Sequence, residues 1–196
     1  MLNSRFDSRA RWTLLLLVIF GLAWGANGYA SPQSNSLQAI SENYKQVVAS
    51  PIRTDDDRNA DARRKPLEFL QFTNVQPGMR VLDVATGGGY TTQLLALAVG
   101  SNGTVWAQTD KLRPAFEKRI ADHPQTNIVP VVRPYEDPVP NDVTTLDLIT
   151  LILNYHDIAY MPVDRTKMNK RLFNALKPGV NYRRIGAISL SALSRH

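Results

Sequence analysis

The chain has 196 residues, a length that predicts one domain. It contains no cysteine, which excludes disulfides and thiolate metal sites. Its 23 Lys and Arg residues against 17 Asp and Glu residues give a net charge of +6. That charge is spread along the chain without a basic block interleaved with aromatic residues, so the sequence gives no reason to expect a nucleic-acid partner.

The first thirty residues have the pattern of a secretory signal peptide rather than of a folded element. A basic segment (5–11) precedes an apolar run (14–24), and small residues follow up to Ala30. This order predicts cleavage after Ala30 and an exported, periplasmic or secreted mature chain over 31–196, without a stable membrane span. Removing three Arg and one Asp lowers the net charge from +6 to +4. A retained N-terminal anchor is the alternative, although eleven apolar residues are few for a bilayer span.

The next segment, 31–75, is predicted to be a helical extension. It has a polar start at 31–36, an amphipathic helix over 36–49, and a second helix over about 58–72 that Pro66 interrupts. Strands then alternate with helices, and this order predicts a parallel α/β sheet. The predicted strands are 79–84, 104–108, 128–133 and 146–153, and the predicted helices are 90–99, 113–121 and 164–176.

The segment 81–90 has the pattern of a ligand-binding turn. An apolar strand carries Asp83 near its end, Gly87 and Gly89 follow, and an apolar helix begins behind them. Glycines let a ligand approach the backbone, and free N–H groups at a helix start favour negative groups. A dinucleotide fingerprint needs a third glycine where this chain has Thr92. An acid four residues before the glycine pair instead suits S-adenosylmethionine, whose amino group Asp83 can hold directly or through water. A nicotinamide-dependent oxidoreductase and a glycine turn without a ligand remain the alternatives.

Beyond this loop, the chain resembles the class I S-adenosylmethionine-dependent methyltransferases. The segments that carry the resemblance are 81–89, 103–110, 146–156 and 172–179, which correspond to the first motif, the second strand, the fourth strand, and the helix and turn before the fifth strand. More closely, 49–66 and 153–157 resemble a group of exported bacterial methyltransferases. The resemblance implies a Rossmann-like sheet over 76–180, S-adenosylmethionine as cofactor, and a small-molecule methyl acceptor.

The resemblance also implies a set of cofactor-binding residues. Ala85 stands where the family usually has its first glycine. Thr109 aligns with the acid that grips the ribose, but Asp110 is preferred, because a carboxylate can accept from both hydroxyls. Tyr135 and Glu136 are the nearest substitutes for the acid that holds the adenine amine. The predicted set is Asp83, Ala85, Gly87, Gly89, Asp110, Tyr135 and Glu136.

Candidate catalytic residues follow the fourth strand. His156 is a candidate general base, because its pKa lies near the working pH, and Asn154 is a candidate for orienting the acceptor. The alternative is that His156 and Asp157 only tie the loop to the backbone, since methyl transfer needs little beyond alignment. A basic group upstream is predicted to be either a lid for an anionic acceptor or, preferably, a solvated helix face. Its members are Arg53, Arg58, Arg63, Arg64 and Lys65.

The segment 181–196 departs from the family pattern. The resemblance predicts an apolar strand after Gly179, whereas the chain has Arg183 and Arg184 where a central parallel strand is normally apolar. We therefore expect a shifted reading frame near Gly179, an incomplete sheet with at most a short strand within 185–190, and a marginally stable product. A non-catalytic nucleoside-binding remnant is the alternative function on this interpretation.

Overall fold

The computed structural model describes residues 32–179 and 185–188, with the backbone alone for 32–37 and 185–188. The predicted signal peptide, and the predicted aberrant tail apart from 185–188, lie outside the described residues.

Contacts between parts of the chain place the described residues from Ser36 onward in one compact unit, which contains the whole sheet. The domain boundaries predicted from the sequence remain a prediction.

Three helices precede the sheet: α1 (Pro32–Ala49), α2 (Asp55–Arg64) and α3 (Pro66–Thr73). Since α1 begins at Pro32, residues 32–36 of the predicted polar start lie inside it. The predicted second helix over about 58–72 is two separate helices, and the predicted interruption at Pro66 is the boundary between them. Lys65 has a left-handed backbone (φ 49°) that ends α2, and Pro66 begins α3, where its missing N–H leaves no helical hydrogen bond unmade. None of the described helices is long and apolar enough to cross a membrane.

Helix α2 begins with a capping box. The Thr54 hydroxyl accepts the Asp57 backbone N–H at 3.2 Å, and the Asp57 carboxylate accepts the Thr54 N–H at 3.0 Å. These bonds satisfy two donors that a helix start otherwise leaves without partners. The capping-box hydrogen bonds therefore hold the Asp57 side chain in place independently of its contacts with other elements.

Five parallel strands form one sheet in the order β3-β2-β1-β4-β5. They are β1 (Arg80–Val84), β2 (Thr104–Thr109), β3 (Ile128–Val132), β4 (Leu148–Ile152) and β5 (Ile185–Ile188). The connecting helices are α4 (Tyr90–Val99), α5 (Pro114–Asp122), α6 (Tyr155–Tyr160) and α7 (Arg165–Ala175). The predicted Rossmann-like arrangement of parallel strands flanked by helices is confirmed, and α6 is a helix that the sequence pattern did not indicate.

Helices cover both faces of the sheet because successive strand residues point to opposite sides. Val81 and Leu148 pack in a core with α1, α3 and α4. Leu82 and Ile149 pack in a second core with α6 and α7. Every residue of β4 is buried, as expected for a strand between two neighbours with helices on both faces.

Strand β3 lies at one edge of the sheet and carries Pro130 at its centre. Val105 N–H donates to the Asn127 carbonyl at 2.8 Å, and Arg133 N–H donates to the Thr109 carbonyl at 3.0 Å. Alternate residues bond to β2 in a parallel ladder, so the Pro130 nitrogen faces away from it. Proline is tolerated there because no ladder bond needs its missing N–H.

We predict that Gly103→Ala lowers the free energy of unfolding by about 2–3 kcal/mol, because a Cβ would overpack this site. That atom would lie 2.5 Å from the Val99 Cβ and 2.7 Å from the Met79 carbonyl oxygen. Gly78→Ala is the control: its φ is +82° but no atom lies within 4 Å, so only backbone strain of about 1 kcal/mol is expected. Urea unfolding measures both, and equal losses would contradict the packing argument.

Candidate functional site

A cavity of about 400 Å³ lies at the carboxyl ends of β1, β2 and β4. Parallel sheets bind ligands at this edge, and the volume is within the range of small-molecule sites. Most of the lining comes from 83–88 and 152–154, and the remainder is Arg64, Tyr90, Thr91, Thr109, Arg113, Tyr135 and Asp157. The predicted residues Asp83, Ala85, Gly87, Tyr135 and Asn154 therefore meet in one cavity.

Asp83 is a buried carboxylate, 2% exposed, that lines this cavity. Its two oxygens accept the Thr92 hydroxyl at 2.6 Å and the Thr150 hydroxyl at 2.8 Å. Thr150 is its register partner on β4, and Thr92 stands on α4. Burial raises the pKa of Asp83 to about 6, although both hydroxyl bonds and the charge of Arg64 lower it. Asp83 therefore carries a charge near neutral pH that the hydroxyls only partly stabilise.

The loop 85–89 is bent by left-handed residues. Gly87 (φ 62°) and Gly89 (φ 84°) accept this conformation readily, whereas Ala85 (φ 59°) does so under strain. Side chains from two other strand ends hold the bend. Gln108 accepts the Ala85 N–H at 3.1 Å, and Asn154 donates to the Ala85 carbonyl at 3.1 Å. Asn154 therefore positions the loop, in addition to lining the cavity.

Gly89 does not line the cavity. A Cβ on Gly89 would lie 2.6 Å from the Phe116 ring and 3.0 Å from the Arg119 Cδ. The missing side chain thus makes room for α5 against the loop. The role of Gly89 in cofactor binding remains a prediction, and its packing role was not apparent from the sequence.

The predicted ribose and adenine residues lie around the end of β2. Thr109 lines the cavity, whereas Asp110 is exposed and lies outside the lining. Asp110 accepts the Tyr135 hydroxyl at 3.2 Å, and Tyr135 does line the cavity. Burial and the neighbouring Asp110 raise the pKa of Tyr135. Glu136 is half-buried and outside the lining.

The candidate base His156 is 69% exposed and outside the cavity lining. Its Nε2 lies 3.1 Å from an Asp157 carboxylate oxygen, and Asp157 does line the cavity. The structure therefore places Asp157, rather than His156, at the cavity. The sequence indicated Asp157 only as a residue that ties the loop to the backbone.

The basic group upstream of the sheet divides into different environments. Arg53 is buried and binds the Asp61 carboxylate at 2.9 and 2.5 Å, whereas Arg63 is exposed. Arg64 lines the cavity, with its guanidinium carbon 5.1 Å from the centre of the Tyr90 ring. The Arg64 Nε–H is buried and has no hydrogen-bond partner among the described residues. A buried donor without a partner is unusual. Asn43, Arg80 and Gln125 also carry such unpartnered polar atoms, but among these four residues Arg64 is the one that lines the cavity.

The cavity residues fit the predicted cofactor. The amino-acid end of S-adenosylmethionine carries one ammonium and one carboxylate, and the cavity lining contains the buried Asp83 carboxylate and the Arg64 guanidinium. The sequence pattern indicated Asp83 but not Arg64, because nothing local distinguishes Arg64 from its exposed neighbours. Within the described part of the chain, no group of three His, Asp or Glu side chains is arranged to hold a metal ion.

Comparisons with known proteins show that this chain is similar to methyltransferases. The family model for protein-L-isoaspartate(D-aspartate) O-methyltransferase matches 42–132. The ubiquinone/menaquinone biosynthesis C-methyltransferase UbiE of Ectopseudomonas mendocina is 24% identical over 151 residues. That match covers 76% of this chain and 57% of UbiE, so the chain spans little more than half of that relative.

Solved structures of methyltransferases are also similar to this chain. A SAM-dependent methyltransferase from Aquifex aeolicus is 25% identical and is matched over 57% of each chain, with a TM-score of 0.47. A protein-L-isoaspartate O-methyltransferase is 21% identical, matched over 58% of this chain and 33% of its own, with a TM-score of 0.45.

We predict that Asp83→Asn changes how stability depends on pH. The folded-state pKa of about 6 lies above the usual 3.8, so the folded state binds the proton more tightly than the unfolded state. Wild-type stability should therefore fall relative to the variant as pH rises from about 4 to 6, by about 2–3 kcal/mol, and level off above that. Urea unfolding at pH 4.5, 6 and 7.5 measures this.

Asp147→Asn is the matched control, because hydrogen bonds from Arg80 and Lys177 outweigh burial and lower the pKa of Asp147. The sign there is opposite and the change falls below pH 3.8, so the difference in stability between wild type and this variant should be nearly constant from pH 4.5 to 7.5. Parallel curves for wild type and Asp83→Asn would contradict a raised pKa at Asp83.

Proposed function

We propose that this chain, which belongs to the class I S-adenosylmethionine-dependent methyltransferases, binds S-adenosylmethionine in the cavity and passes its methyl group to a small-molecule acceptor. One observation carries the proposal. The buried Asp83 carboxylate lines the same cavity as the Arg64 guanidinium, whose Nε–H has no partner among the described residues. These opposite charges match the ammonium and carboxylate of one amino-acid group.

Asp83 and Arg64 bind the amino-acid end. Asp83 keeps lone pairs beyond the two used by Thr92 and Thr150, so it can accept from an ammonium without breaking either bond. A cation beside Asp83 favours its ionised form, so ligand binding should release a proton below about pH 6. Arg64 supplies charge-assisted bonds to the carboxylate through its fork of donors.

The nucleoside end is assigned to the neighbouring strand ends. Thr109 and Tyr135 line the cavity there, and the Tyr135 hydroxyl donates to Asp110. We assign the ribose hydroxyls to Asp110 and Thr109, and the adenine to Tyr135 with Glu136 nearby. The left-handed bend at Gly87 leaves open space, with only one atom as near as 4.0 Å to a Cβ built there.

The bound cofactor supplies an electrophilic methyl group on a sulfonium, so the protein mainly has to align the acceptor with it. An acceptor O–H or N–H must also lose a proton. Asp157 lines the cavity and pairs with His156, so we assign the proton to this pair, with His156 passing it to solvent. Asn154, which holds the loop, is assigned the orientation of the acceptor.

A nicotinamide cofactor is not supported by any specific observation. Thr92 occupies the position of the third glycine of the dinucleotide fingerprint, and its side chain is buried against Asp83. A non-catalytic binding protein differs from the proposal only in the transfer step, so a binding measurement and a transfer measurement are both needed.

We also propose that the chain is exported. The support is the basic, apolar and small-residue order over 1–30, which is typical of secretory signal peptides. On this proposal the methyl acceptor lies outside the cytoplasm, or the enzyme encounters it during export.

We predict that the purified protein binds S-adenosylmethionine and S-adenosylhomocysteine saturably and does not bind NAD at millimolar concentration. Asp83→Asn and Arg64→Met should each weaken binding about tenfold or more, because each removes a charge-assisted bond. Arg63→Met is the matched control and should have no effect, since Arg63 is exposed and outside the cavity lining. Isothermal titration calorimetry measures all of these.

A ligand without the amino-acid end makes this test specific for Asp83 and Arg64. Methylthioadenosine lacks both the amino and the carboxylate group, so Asp83→Asn and Arg64→Met should leave its affinity unchanged. Folded protein that ignores S-adenosylmethionine, or variants that bind it as well as wild type does, would refute the binding proposal. Binding without methyl release from any candidate acceptor would refute the transfer step alone.

We predict that the full chain expressed in a bacterial host appears in the periplasm with Ser31 as its first residue, because the pattern places cleavage after Ala30. N-terminal sequencing of the periplasmic fraction measures this. Replacing Ala30 with Arg should block cleavage and leave the chain attached to the membrane. Uncleaved wild-type chain in the cytoplasm would contradict the export proposal.

A further inference from the structure

One arginine outside the cavity lining joins several elements. Arg119, on α5, donates from both Nη atoms to the Asp57 carboxylate on α2, each at 2.7 Å. Its Nε donates to the Gly88 carbonyl in the glycine loop at 2.8 Å. Its Nη1 also donates to the Gln93 side chain on α4 at 2.5 Å. Four parts of the chain thus meet at a single guanidinium.

Water contributes little to these contacts. The side chains of Arg119 and Asp57 are 13% and 4% exposed. Burial alone would raise the pKa of Asp57, but hydrogen bonds from Arg119 and Thr54 outweigh burial and lower it. A buried ion pair is expensive to break, because the remaining charge stays without a partner. The planar guanidinium of arginine donates to the Asp57 carboxylate and to the Gly88 carbonyl at the same time. A lysine ammonium cannot reproduce this geometry.

The packing beside the Arg119–Asp57 pair also holds α5 against the glycine loop. Phe116 and the Arg119 stem lie so close to Gly89 that any side chain there would collide with them. The glycine loop is thus covered by α5 at Gly89 and bonded by α5 at Gly88.

A second contact joins α2 to the loop. Asp61 lies one turn after Asp57 on α2 and accepts the Tyr90 hydroxyl at 2.7 Å. Tyr90 follows the glycines directly and is the first residue of α4. Arg53 neutralises Asp61 through two hydrogen bonds. Helix α2 therefore holds the loop at Gly88, through Arg119, and again at Tyr90.

We infer that Asp57 and Arg119 are positioning residues that clamp α2 onto the glycine loop and hold it in the bend that binds the cofactor. The inference rests on the proposed function for its ligand, but the loop conformation it concerns can be measured without one. Neither side chain lines the cavity, so any effect on binding must act through the loop.

The test compares Asp57→Asn and Arg119→Lys with two controls in the full chain. Asp56→Asn removes an exposed carboxylate from the same helical turn. Gly103→Ala is expected to lower stability at the amino end of β2, whereas the cavity lies at the carboxyl ends of the strands. The readouts are the affinity for S-adenosylhomocysteine and the hydrogen exchange of amides 85–90, both at a temperature where every variant is folded.

We expect both clamp variants to bind S-adenosylhomocysteine about tenfold or more weakly and to exchange the loop amides about tenfold or more faster. Both controls should match wild type in the two readouts, although Gly103→Ala melts earlier. If Asp57→Asn does not fold, Arg119→Lys decides, because it keeps the charge beside Asp57 and loses the fork.

Loop exchange and affinity equal to wild type in the clamp variants would overturn the inference. So would losses in Gly103→Ala as large as theirs, since lost stability alone would then explain them. If wild type does not bind S-adenosylhomocysteine, the proposed function fails, and loop exchange alone decides on the clamp: unchanged exchange overturns it, and faster exchange supports it.

Discussion

A carboxylate buried between two strands and a helix is the constraint on which the rest of the site depends. Asp83 has almost no contact with water, so its oxygens need donors from the protein. One donor, Thr150, stands on β4 and the other, Thr92, on α4. The register of β1 with β4 and the docking of α4 on the sheet are therefore tied to the chemistry of the site.

The glycine loop depends on its neighbours in the same way. Its own residues supply the bend, but Ala85 adopts a left-handed backbone that alanine disfavours, and Leu153 does the same at the end of β4. Such strain persists only where the surroundings enforce it. Gln108 and Asn154 provide that enforcement by bonding to the Ala85 backbone from the ends of β2 and β4.

The local parts of this architecture could be predicted from the sequence, and the contacts between distant parts could not. The strand, the bend and α4 form one continuous pattern, so their positions followed from apolar spacing and glycines. The helix end at Lys65 has a local signal, because the residue before a proline is disfavoured in a helix, but nothing local indicates its left-handed backbone. Arg64 and Arg119 look like ordinary surface cations in sequence. Their roles arise only when α2 and α5 pack beside the loop, and no local signal encodes that contact.

Pro130 has a consequence for how separate molecules behave toward each other. A strand at the border of a sheet offers free backbone groups along its length, and a second chain could extend the sheet by pairing with them. At the middle of β3 the outward-facing nitrogen carries no hydrogen, so an added chain would have one carbonyl there without a donor. Fibril growth from this border is disfavoured at a residue that does not line the cavity, so self-assembly and ligand binding can be altered separately.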